Sequence, residues 1–268
     1  MPPSHQTIDL MITIKQLHKA FGKNQVLRGL DLNLQPGRIT AVLGPNGSGK
    51  TTLIKSILGM VVPDGGAIYL DGQNINGQHR YREQISYLPQ IARFPENLKV
   101  NELLRMVQDL RNQPGQTEPL IERFGLEDFL QTRLGHLSGG TRQKVNLVQA
   151  FMYDSPIMVL DEPTSGLDPV ALQHLKQLIR AEQAEGKLML LTSHIMSFVE
   201  EVADEIVFLL EGKIHFQGTQ QALKRSYQAD DLEGAIANML QGQSAKKKPT
   251  DDPKRIFMEP FPLIHQTG

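Results

Sequence analysis

A chain of 268 residues, of which 40% are hydrophobic and 21% charged, is large enough to bury the core of an ordinary globular domain. Its formal net charge of −1 excludes the large basic excess by which proteins bind nucleic acid without sequence preference. The chain has no cysteine, which excludes disulfides and thiolate metal sites, and no apolar run of about 18 residues that predicts a membrane-spanning helix.

The N-terminal third of the chain predicts antiparallel strands beside one strand–loop–helix unit. Residues 8–17 alternate apolar and polar side chains, as a strand with one face in solvent does, and the alternation continues like a hairpin to residue 37. Residues 39–43 are almost wholly apolar, which predicts a buried parallel strand. A glycine-rich turn then leads into residues 50–60, whose apolar side chains recur at helical spacing. Residues 63–75 predict a turn, a strand and an Asp-Gly turn.

The remainder of the chain predicts helices and strands in alternation. Residues 96–129 are charged and helical in pattern, which predicts a small helical insert capped by Asn97 or Asn101. The elements predicted after it are a helix from 141 to about 153, a buried strand at 157–160, a helix at 169–186, a buried strand at 188–192, a helix at 195–205 and a hairpin at 206–218. This alternation predicts an α/β fold with a mostly parallel sheet covered by helices on both faces.

The predicted domain organisation follows from where the composition changes. From about residue 243 the sequence is polar and broken by proline, which predicts a flexible C-terminal tail over residues 243–268. Residues 8–242 contain no internal repeat and are predicted to form one domain. Within it, residues of about 91–140 are predicted to form a helical subdomain.

Residues 44–51 read GPNGSGKT and match the phosphate-loop pattern G-x-x-x-x-G-K-[ST]. Because glycines let successive N–H groups point at one anion, and a helix N-terminus adds positive potential, this turn is predicted to hold the phosphates of ATP. Lys50 is expected to reach the β- and γ-phosphates, and the Thr51 hydroxyl to bind Mg²⁺. A chance match is the alternative, which the strand before the loop and the helix after it disfavour. The candidates for binding the nucleotide are Gly44, Pro45, Asn46, Gly47, Ser48, Gly49, Lys50, Thr51 and Thr52.

Two carboxylates follow the strand predicted at residues 157–160. Since ligands of α/β sheets bind beyond the carboxyl ends of parallel strands, Asp161 and Glu162 are expected to face the nucleotide. Asp161 is the candidate partner of Mg²⁺, through a water, and Glu162 is the candidate base for the attacking water. The alternative is that one of the two acids only caps the turn that follows.

A second glycine pair lies far downstream, in the sequence LSGGTRQ at residues 137–143. Ser138, Gly139 and Gly140 open a predicted helix, so their N–H groups form a second anion site of the same kind as the first. The alternative is an ordinary helix cap in which Ser138 is the N-cap residue.

The order of these motifs resembles that of the ATP-binding cassette (ABC) ATPases over about residues 8–223: a phosphate loop, LSGG, an apolar strand ending in Asp-Glu, and the isolated His194. The resemblance implies a P-loop NTPase (RecA-like) core with a mostly parallel sheet, an antiparallel β subdomain and a small helical subdomain. It also implies that two cassettes pack head to tail, with each ATP held between the phosphate loop of one and the LSGG of the other. Ser138, Gly139 and Gly140 are then expected to contact the ATP of the partner subunit.

The resemblance assigns further residues one at a time. Phe21 falls where the family stacks an aromatic ring on adenine, with a core phenylalanine as the alternative. Gln90 matches the glutamine that contacts Mg²⁺ and the attacking water and whose loop faces the membrane partner, with a surface turn as the alternative. Asp168 ends the SGLD loop, which crosses the dimer interface in the family. His194 matches the histidine that contacts the γ-phosphate, with a structural histidine as the alternative.

One position departs from the family, because Thr141 stands where glutamine usually follows LSGG. Threonine keeps a hydroxyl but is shorter, which leaves its reach to the ribose or to the partner loop open. Activity is nevertheless expected, since Ser138, Gly139 and Gly140 are all present.

The function implied by the resemblance is that of the ATPase subunit of a membrane transporter, with Lys50, Glu162 and His194 catalytic and with ATP and Mg²⁺ as cofactors. The expected partners are a transmembrane permease and a second copy of the chain, which implies a cytoplasmic position on the inner face of the cell membrane. Residues 137–156 are similar to those of ABC-2-type ATPases, especially the Nos-type ATPases that handle copper for the assembly of nitrous oxide reductase.

Two other classes of function are open alternatives. A soluble cassette protein acting on ribosomes or DNA is disfavoured, because the ribosome-acting relatives join two cassettes by a basic linker and the DNA-repair relatives insert long coiled coils. The stretch between Gln90 and Ser138 is too short for such a coiled coil, so no nucleic-acid partner is expected. A non-hydrolysing regulatory module is disfavoured because Glu162 and His194 are both present.

Overall fold

The computed structural model describes residues 10–242, so the tail predicted at residues 243–268 lies outside the described residues. The chain divides into two compact units, with the boundary between residues 220 and 221. One domain over residues 8–242, with a helical subdomain at about 91–140, stays a prediction.

Strands and helices alternate along most of the chain. In order they are β1 (Ile12–Phe21), β2 (Asn24–Leu34), β3 (Ile39–Leu43), α1 (Lys50–Ile57), β4 (Gly65–Leu70), β5 (Gln73–Asn74), β6 (Ile85–Leu88), α2 (Val100–Arg111), α3 (Glu118–Phe124), α4 (Gly139–Phe151), β7 (Ile157–Asp161), α5 (Pro169–Ala184), β8 (Leu188–Thr192), α6 (Met196–Val202), β9 (Glu205–Leu210), β10 (Lys213–Thr219), α7 (Gln220–Ser226) and α8 (Leu232–Leu240). Among these, no helix has the length and hydropathy needed to cross a membrane within residues 10–242.

The first sheet is antiparallel and has the strand order β2-β1-β4-β5. Strands β1 and β2 form the hairpin that the alternating pattern predicts, with Phe21 paired to Asn24 across a turn at Gly22 and Lys23. The Asp-Gly turn predicted after the next strand joins β4 to β5. This sheet is the antiparallel β subdomain that the family resemblance implies.

The second sheet has the strand order β10-β9-β3-β8-β7-β6 and is parallel from β9 to β6. Strand β10 pairs antiparallel to β9 in the predicted hairpin. Strands β3, β7 and β8 are buried along their whole length, as continuous apolar runs predict for strands covered on both faces. These two sheets and their helices confirm the predicted α/β class. The loops after β3, β6, β7 and β8 start at one edge of the sheet, and these loops carry most of the candidate site residues.

The helix that follows the phosphate loop is anchored in the core. The buried face of α1 consists of Leu53, Ile54 and Ile57, which belong to one apolar cluster with side chains of both sheets. Burying each such side chain stabilises the fold by about 1.5–3 kcal/mol, so the first turn of α1 is held firmly beside the loop.

The helical insert contains α2 and α3, and the predicted cap of α2 is wrong. The helix begins at Val100, so Asn101 is already its second residue, and Asn97 lies before it in a turn. The backbone N–H of Lys99 donates to the carboxylate of Glu102 at 2.8 Å. Glu102, the third helical residue, therefore reaches back to the N–H of the N-cap residue, as the glutamate of a capping box does.

Two helices, α7 and α8, follow the last predicted element, and the sequence pattern does not predict either of them. Helix α7 leads into the second unit, and α8 is capped by Asp231, whose Oδ1 accepts a hydrogen bond from the N–H of Gly234 at 2.7 Å. The side chain of Asn238 donates to the carbonyl oxygen of Tyr227 at 2.9 Å, which ties α8 to the residue that follows α7.

Candidate active site

The phosphate loop, residues 44–49, connects β3 to α1 and requires glycine at two positions. Gly44 has a φ of 148°, and a Cβ there would lie 2.0 Å from the carbonyl oxygen of Leu209 in β9. Gly49 has a φ of 111°, and a Cβ there would lie 2.9 Å from Cδ2 of Leu27. The loop is therefore packed so closely against its neighbours that a larger residue at either position would displace it.

Two side chains are arranged to meet an anion, that of Ser48 in the loop and that of Lys50 at the start of α1. The Nζ of Lys50 donates to the carbonyl oxygens of Gly44 at 2.7 Å and Pro45 at 3.2 Å, which holds the ammonium group against the loop. Burial lowers the pKa of Lys50, and the two carboxylates of the site oppose that shift. The hydroxyl of Ser48 is buried without a hydrogen-bond partner among the described residues. A buried hydroxyl normally has one, so this atom fits a site that receives a ligand oxygen.

The loop lines a cavity of about 240 Å³ together with side chains from other strand ends. The residues lining the cavity are Asn24, Val26, Asn46, Gly47, Ser48, Gly49, Lys50, Thr51, Thr52, Gln90, Asp161, Glu162 and His194. The structure thus brings together most of the predicted site, because β3, β6, β7 and β8 end at one edge of the parallel sheet. Asn24 and Val26 of β2 are additional, and an alternating strand pattern carries no signal that would have identified them.

Three of these residues fit a magnesium ion. Thr51, Gln90 and Asp161 all line the cavity and offer a hydroxyl, an amide oxygen and a carboxylate. Mg²⁺ prefers oxygen ligands of this kind and commonly completes its shell with substrate phosphates and water.

The acidic pair at the end of β7 is held by Thr192 of the neighbouring strand β8. The Oγ1 of Thr192 donates to Oδ1 of Asp161 at 2.7 Å and accepts from the backbone N–H of Glu162 at 3.0 Å. Asp161 and Glu162 are almost fully buried, and Glu162 has a φ of 52°, in the left-handed region. Sequence reasoning missed Thr192, because a threonine at the end of a buried strand has no distinguishing pattern.

The carboxylate of Glu162 is turned towards His194. Its Oε2 accepts a hydrogen bond from the backbone N–H of His194 at 3.2 Å, and its Oε1 lies 3.1 Å from Nε2 of that histidine without hydrogen-bond geometry. Burial raises the pKa of Glu162, and the charge of Asp161 adds to the rise, while His194 and Lys50 oppose it. A carboxylate with a raised pKa, such as that of Glu162, is a better proton acceptor, as general-base catalysis requires.

Tyr87 lies near Asp161. Burial and the charge of Asp161 raise the pKa of Tyr87 to about 12, so its phenol stays protonated.

The serine-glycine turn lies outside this cavity. Ser138 caps α4, because its Oγ accepts a hydrogen bond from the N–H of Thr141 at 3.1 Å and lies 2.8 Å from the Thr141 hydroxyl. Ser138 and Gly139 are exposed. A Cβ on Gly140 would lie 2.7 Å from the carbonyl oxygen of Gly166, so the SGLD loop packs closely against the turn. The helix cap predicted as an alternative is therefore present, and it leaves an exposed turn at the N-terminus of a 13-residue helix.

Phe21 and Asp168 also lie outside the cavity lining. Phe21 is 51% exposed, which contradicts the alternative of a core phenylalanine, and the ammonium group of Lys19 lies 5.3 Å from its ring centre. Asp168 caps α5 by accepting a hydrogen bond from the N–H of Ala171 at 2.8 Å. The predicted site residues that do not line the cavity are Phe21, Gly44, Pro45, Ser138, Gly139, Gly140 and Asp168.

Comparison with known proteins gives a consistent result. The family model described as ABC transporter matches residues 27–165, just over half of the chain. The Nod factor export ATP-binding protein I of Burkholderia lata is 34% identical over 221 residues, which cover 80% of this chain and 73% of that protein. A solved structure of the ATP-binding subunit of an ABC transporter is 30% identical with a TM-score of 0.80, covering 86% of this chain and 99% of that one. A dimeric ATP-binding cassette bound to ADP and Pi shares the fold, with 22% identity, a TM-score of 0.70, and coverage of 78% of this chain and 98% of that one.

The fold and the cavity define a phosphate-loop nucleotide hydrolase, which confirms the predicted P-loop NTPase core. The chain belongs to the ABC transporter family, as one of the ATP-binding subunits whose ATP hydrolysis is coupled to transport.

Proposed function

We propose that the chain works as one of two identical cassettes that bind Mg²⁺ and ATP head to tail and drive a transmembrane permease. The observation that carries this proposal is the cavity that brings together the phosphate loop, both acids and His194. The serine-glycine turn of the same chain lies outside that cavity. The turn is therefore proposed to bind the ATP held by the phosphate loop of the partner subunit.

Each catalytic side chain has a distinct role in the proposed reaction. Glu162 accepts the proton of the water that attacks the γ-phosphate in line. Lys50, His194 and Ser138 of the partner subunit stabilise the charge that develops on the phosphate oxygens. Mg²⁺, held by Thr51, Gln90 and Asp161, would supply further positive charge at the β- and γ-phosphates.

The proposed dimer is supported by the exposure of residues that lie outside the cavity of their own chain. Ser138 and Gly139 lie exposed at the start of α4, where the helix N-terminus attracts an anion. Val170, two residues after the SGLD loop, is 65% exposed, and Ile195, next to His194, is 43% exposed. Apolar side chains that flank both half-sites fit a surface that is covered when two cassettes close over ATP. Asp168 belongs to this interface in the proposal, and Phe21 stacks on the adenine ring.

The permease is proposed to dock beside Gln90, at the inner face of the membrane. Gln90 is exposed and is followed by Ile91, which is 70% exposed. An exposed apolar residue next to a glutamine of the nucleotide site would let the permease sense the state of that site.

Two hypotheses about the cargo accompany this proposal. The similarity of residues 137–156 to Nos-type ATPases favours a system that handles copper for nitrous oxide reductase. The name of the Burkholderia lata relative, Nod factor export ATP-binding protein I, favours an exporter instead. Isolating the chain with its permease and identifying both subunits by native mass spectrometry would separate these hypotheses, and recovery with ribosomes or DNA instead would contradict the transporter assignment.

The proposed role of Glu162 is tested by Glu162→Gln. The variant should bind ATP as tightly as the wild type but hydrolyse it at least about 100-fold more slowly, because it lacks the catalytic base. Glu122→Gln, on the exposed face of α3, is the matched control and should hydrolyse ATP at the wild-type rate. Wild-type turnover by the Glu162→Gln variant would contradict the proposal.

A further inference from the structure

The hydroxyl of Thr192 is the one side-chain group in the described residues that bonds to both members of the acidic pair. Thr192 and Asp161 are paired residues at the ends of the parallel strands β8 and β7, and Thr192 is fully buried. Its Oγ1 donates to Oδ1 of Asp161 at 2.7 Å and accepts from the N–H of Glu162 at 3.0 Å. Both bonds are within normal hydrogen-bond distance, and they use the donor and an acceptor of the same hydroxyl.

The bond to Glu162 supports a backbone conformation that this residue would not readily adopt alone. At a φ of 52° Glu162 lies in the left-handed region, which L-residues with a Cβ seldom occupy. Strand β8 ends at Thr192, and at that end the threonine side chain accepts the hydrogen bond of the Glu162 N–H. In this conformation the Glu162 carboxylate meets the backbone N–H of His194.

The bond to Asp161 fixes the other acid. With Oδ1 bonded to Thr192, the carboxylate has a defined rotation at a residue that lines the cavity. Carboxylates that hold a metal are typically oriented by a hydrogen bond of this kind, and its loss weakens metal binding or activity about 10- to 100-fold.

We propose that Thr192 is a positioning residue for ATP hydrolysis, because one hydroxyl orients the carboxylate of Asp161 and locks the backbone turn that aims Glu162. This role depends on the function proposed above for the two acids. Thr192 acts through them and does not touch the nucleotide.

The test compares Thr192→Val with Thr192→Ser. Valine keeps the shape and burial of threonine but leaves the N–H of Glu162 without its acceptor, whereas serine keeps the hydroxyl and loses a methyl group. We expect kcat of the valine variant to fall about 10- to 100-fold while the KM for ATP stays within about 3-fold. The serine variant should keep kcat within about 3-fold of the wild type, even where lost packing lowers its melting temperature.

A second measurement does not depend on turnover. The affinity for Mn²⁺ in the presence of ADP, measured by electron paramagnetic resonance, should weaken about 10-fold in Thr192→Val and be restored in Thr192→Ser. Thr40→Val is the matched control, since Thr40 is a buried threonine of strand β3 and has no assigned part in the site. Its kcat and Mn²⁺ affinity should equal those of the wild type.

The outcomes separate this role from the proposed function. A folded Thr192→Val variant with wild-type kcat and Mn²⁺ affinity would overturn the role of Thr192, and so would a serine variant as weak as the valine variant. Should the valine variant fail to fold, Thr192→Ala and Thr192→Ser differ by the hydroxyl alone, and equal kcat values in that pair would overturn it. ATP hydrolysis by Glu162→Gln at the wild-type rate, in contrast, would contradict the proposed function itself.

Discussion

The Nζ of Lys144 lies 2.7 Å from Oδ2 of Asp168, so an ion pair joins the helix that begins at the serine-glycine turn to the start of α5. Helix α5 follows the loop that leaves strand β7, the strand that ends in the acidic pair. The serine-glycine turn, which is proposed to serve the ATP of a partner subunit, is therefore connected within one chain to the loop that carries Glu162.

Replacing Lys144 with methionine should change stability only slightly and in a pH-dependent way. The hydrogen bond from Lys144, followed by that from the Ala171 N–H, holds the pKa of Asp168 below its usual value. Since the folded pKa is depressed, the pair stabilises the fold at neutral pH and loses its effect as the pH falls through that pKa. Asp168 is exposed, so the difference in unfolding free energy should be at most about 1 kcal/mol in urea at neutral pH. A difference that did not shrink as the pH fell below the usual pKa of an aspartate would contradict this assignment.

Gly140→Ala should destabilise the serine-glycine turn, whereas Gly139→Ala should not. A Cβ on Gly140 would lie 2.7 Å from the backbone oxygen of Gly166, while a Cβ on Gly139 would meet nothing within 4 Å. We expect the first substitution to lower the free energy of unfolding by about 1–3 kcal/mol and the second to change it by about 0.5 kcal/mol or less. Equal melting curves for the two variants would show that the SGLD loop can move away from the added methyl group without a loss of stability.

Mixing two inactive variants should restore hydrolysis. In Ser138→Arg the phosphate loop is intact, and in Lys50→Ala the serine-glycine turn is intact, so a mixed head-to-tail dimer contains one complete site. Equal amounts should recover at most about a quarter of the wild-type ATPase rate, because half of the dimers are mixed and each has one active site. Each variant alone should be inactive, and Ser138→Arg should still bind ATP. Failure of the mixture to hydrolyse ATP would contradict the shared site.

Glu162→Gln should stabilise the protein at neutral pH as well as inactivate it. Burial raises the pKa of Glu162, so the folded state binds a proton more readily than the unfolded state does. Stability therefore falls as the pH rises from the unfolded pKa through the folded one, and an uncharged glutamine avoids that loss. The variant should melt at a higher temperature than the wild type near neutral pH. This difference in melting temperature should vanish at acidic pH, where Glu162 of the wild type is protonated in both the folded and the unfolded state. A lower melting temperature at neutral pH would contradict the raised pKa.

Local sequence patterns predict the centre of this fold well. The apolar runs that form β3, β7 and β8 are too short for typical buried helices, which favours buried strands. The phosphate loop falls between a strand and a helix, as its chemistry requires. The pattern does not identify β6, because the four residues ISYL are too short to show a period. It also misassigns the cap of α2, where Glu102 competes with two asparagines.

Contacts between distant segments are the part that the sequence does not reveal. The bonds of Thr192 to Asp161 and Glu162 depend on the register of two strands that are about 30 residues apart in the chain. Asn24 and Val26 reach the cavity from a different sheet, which no local period encodes. Motifs locate the groups that react, whereas their orientation depends on pairings that only the fold determines.

The bonds of Lys50 to the carbonyl oxygens of Gly44 and Pro45 have a consequence for turnover. In the role proposed for Lys50, an incoming triphosphate replaces these two hydrogen bonds with bonds to its own oxygens, so its binding gains only the difference between the two sets of contacts. After the γ-phosphate leaves, the same carbonyls are within reach to take the ammonium group back. In that role the loop carbonyls compete with ADP for the ammonium group of Lys50, which weakens the binding of ADP and helps the site to release it before the next cycle.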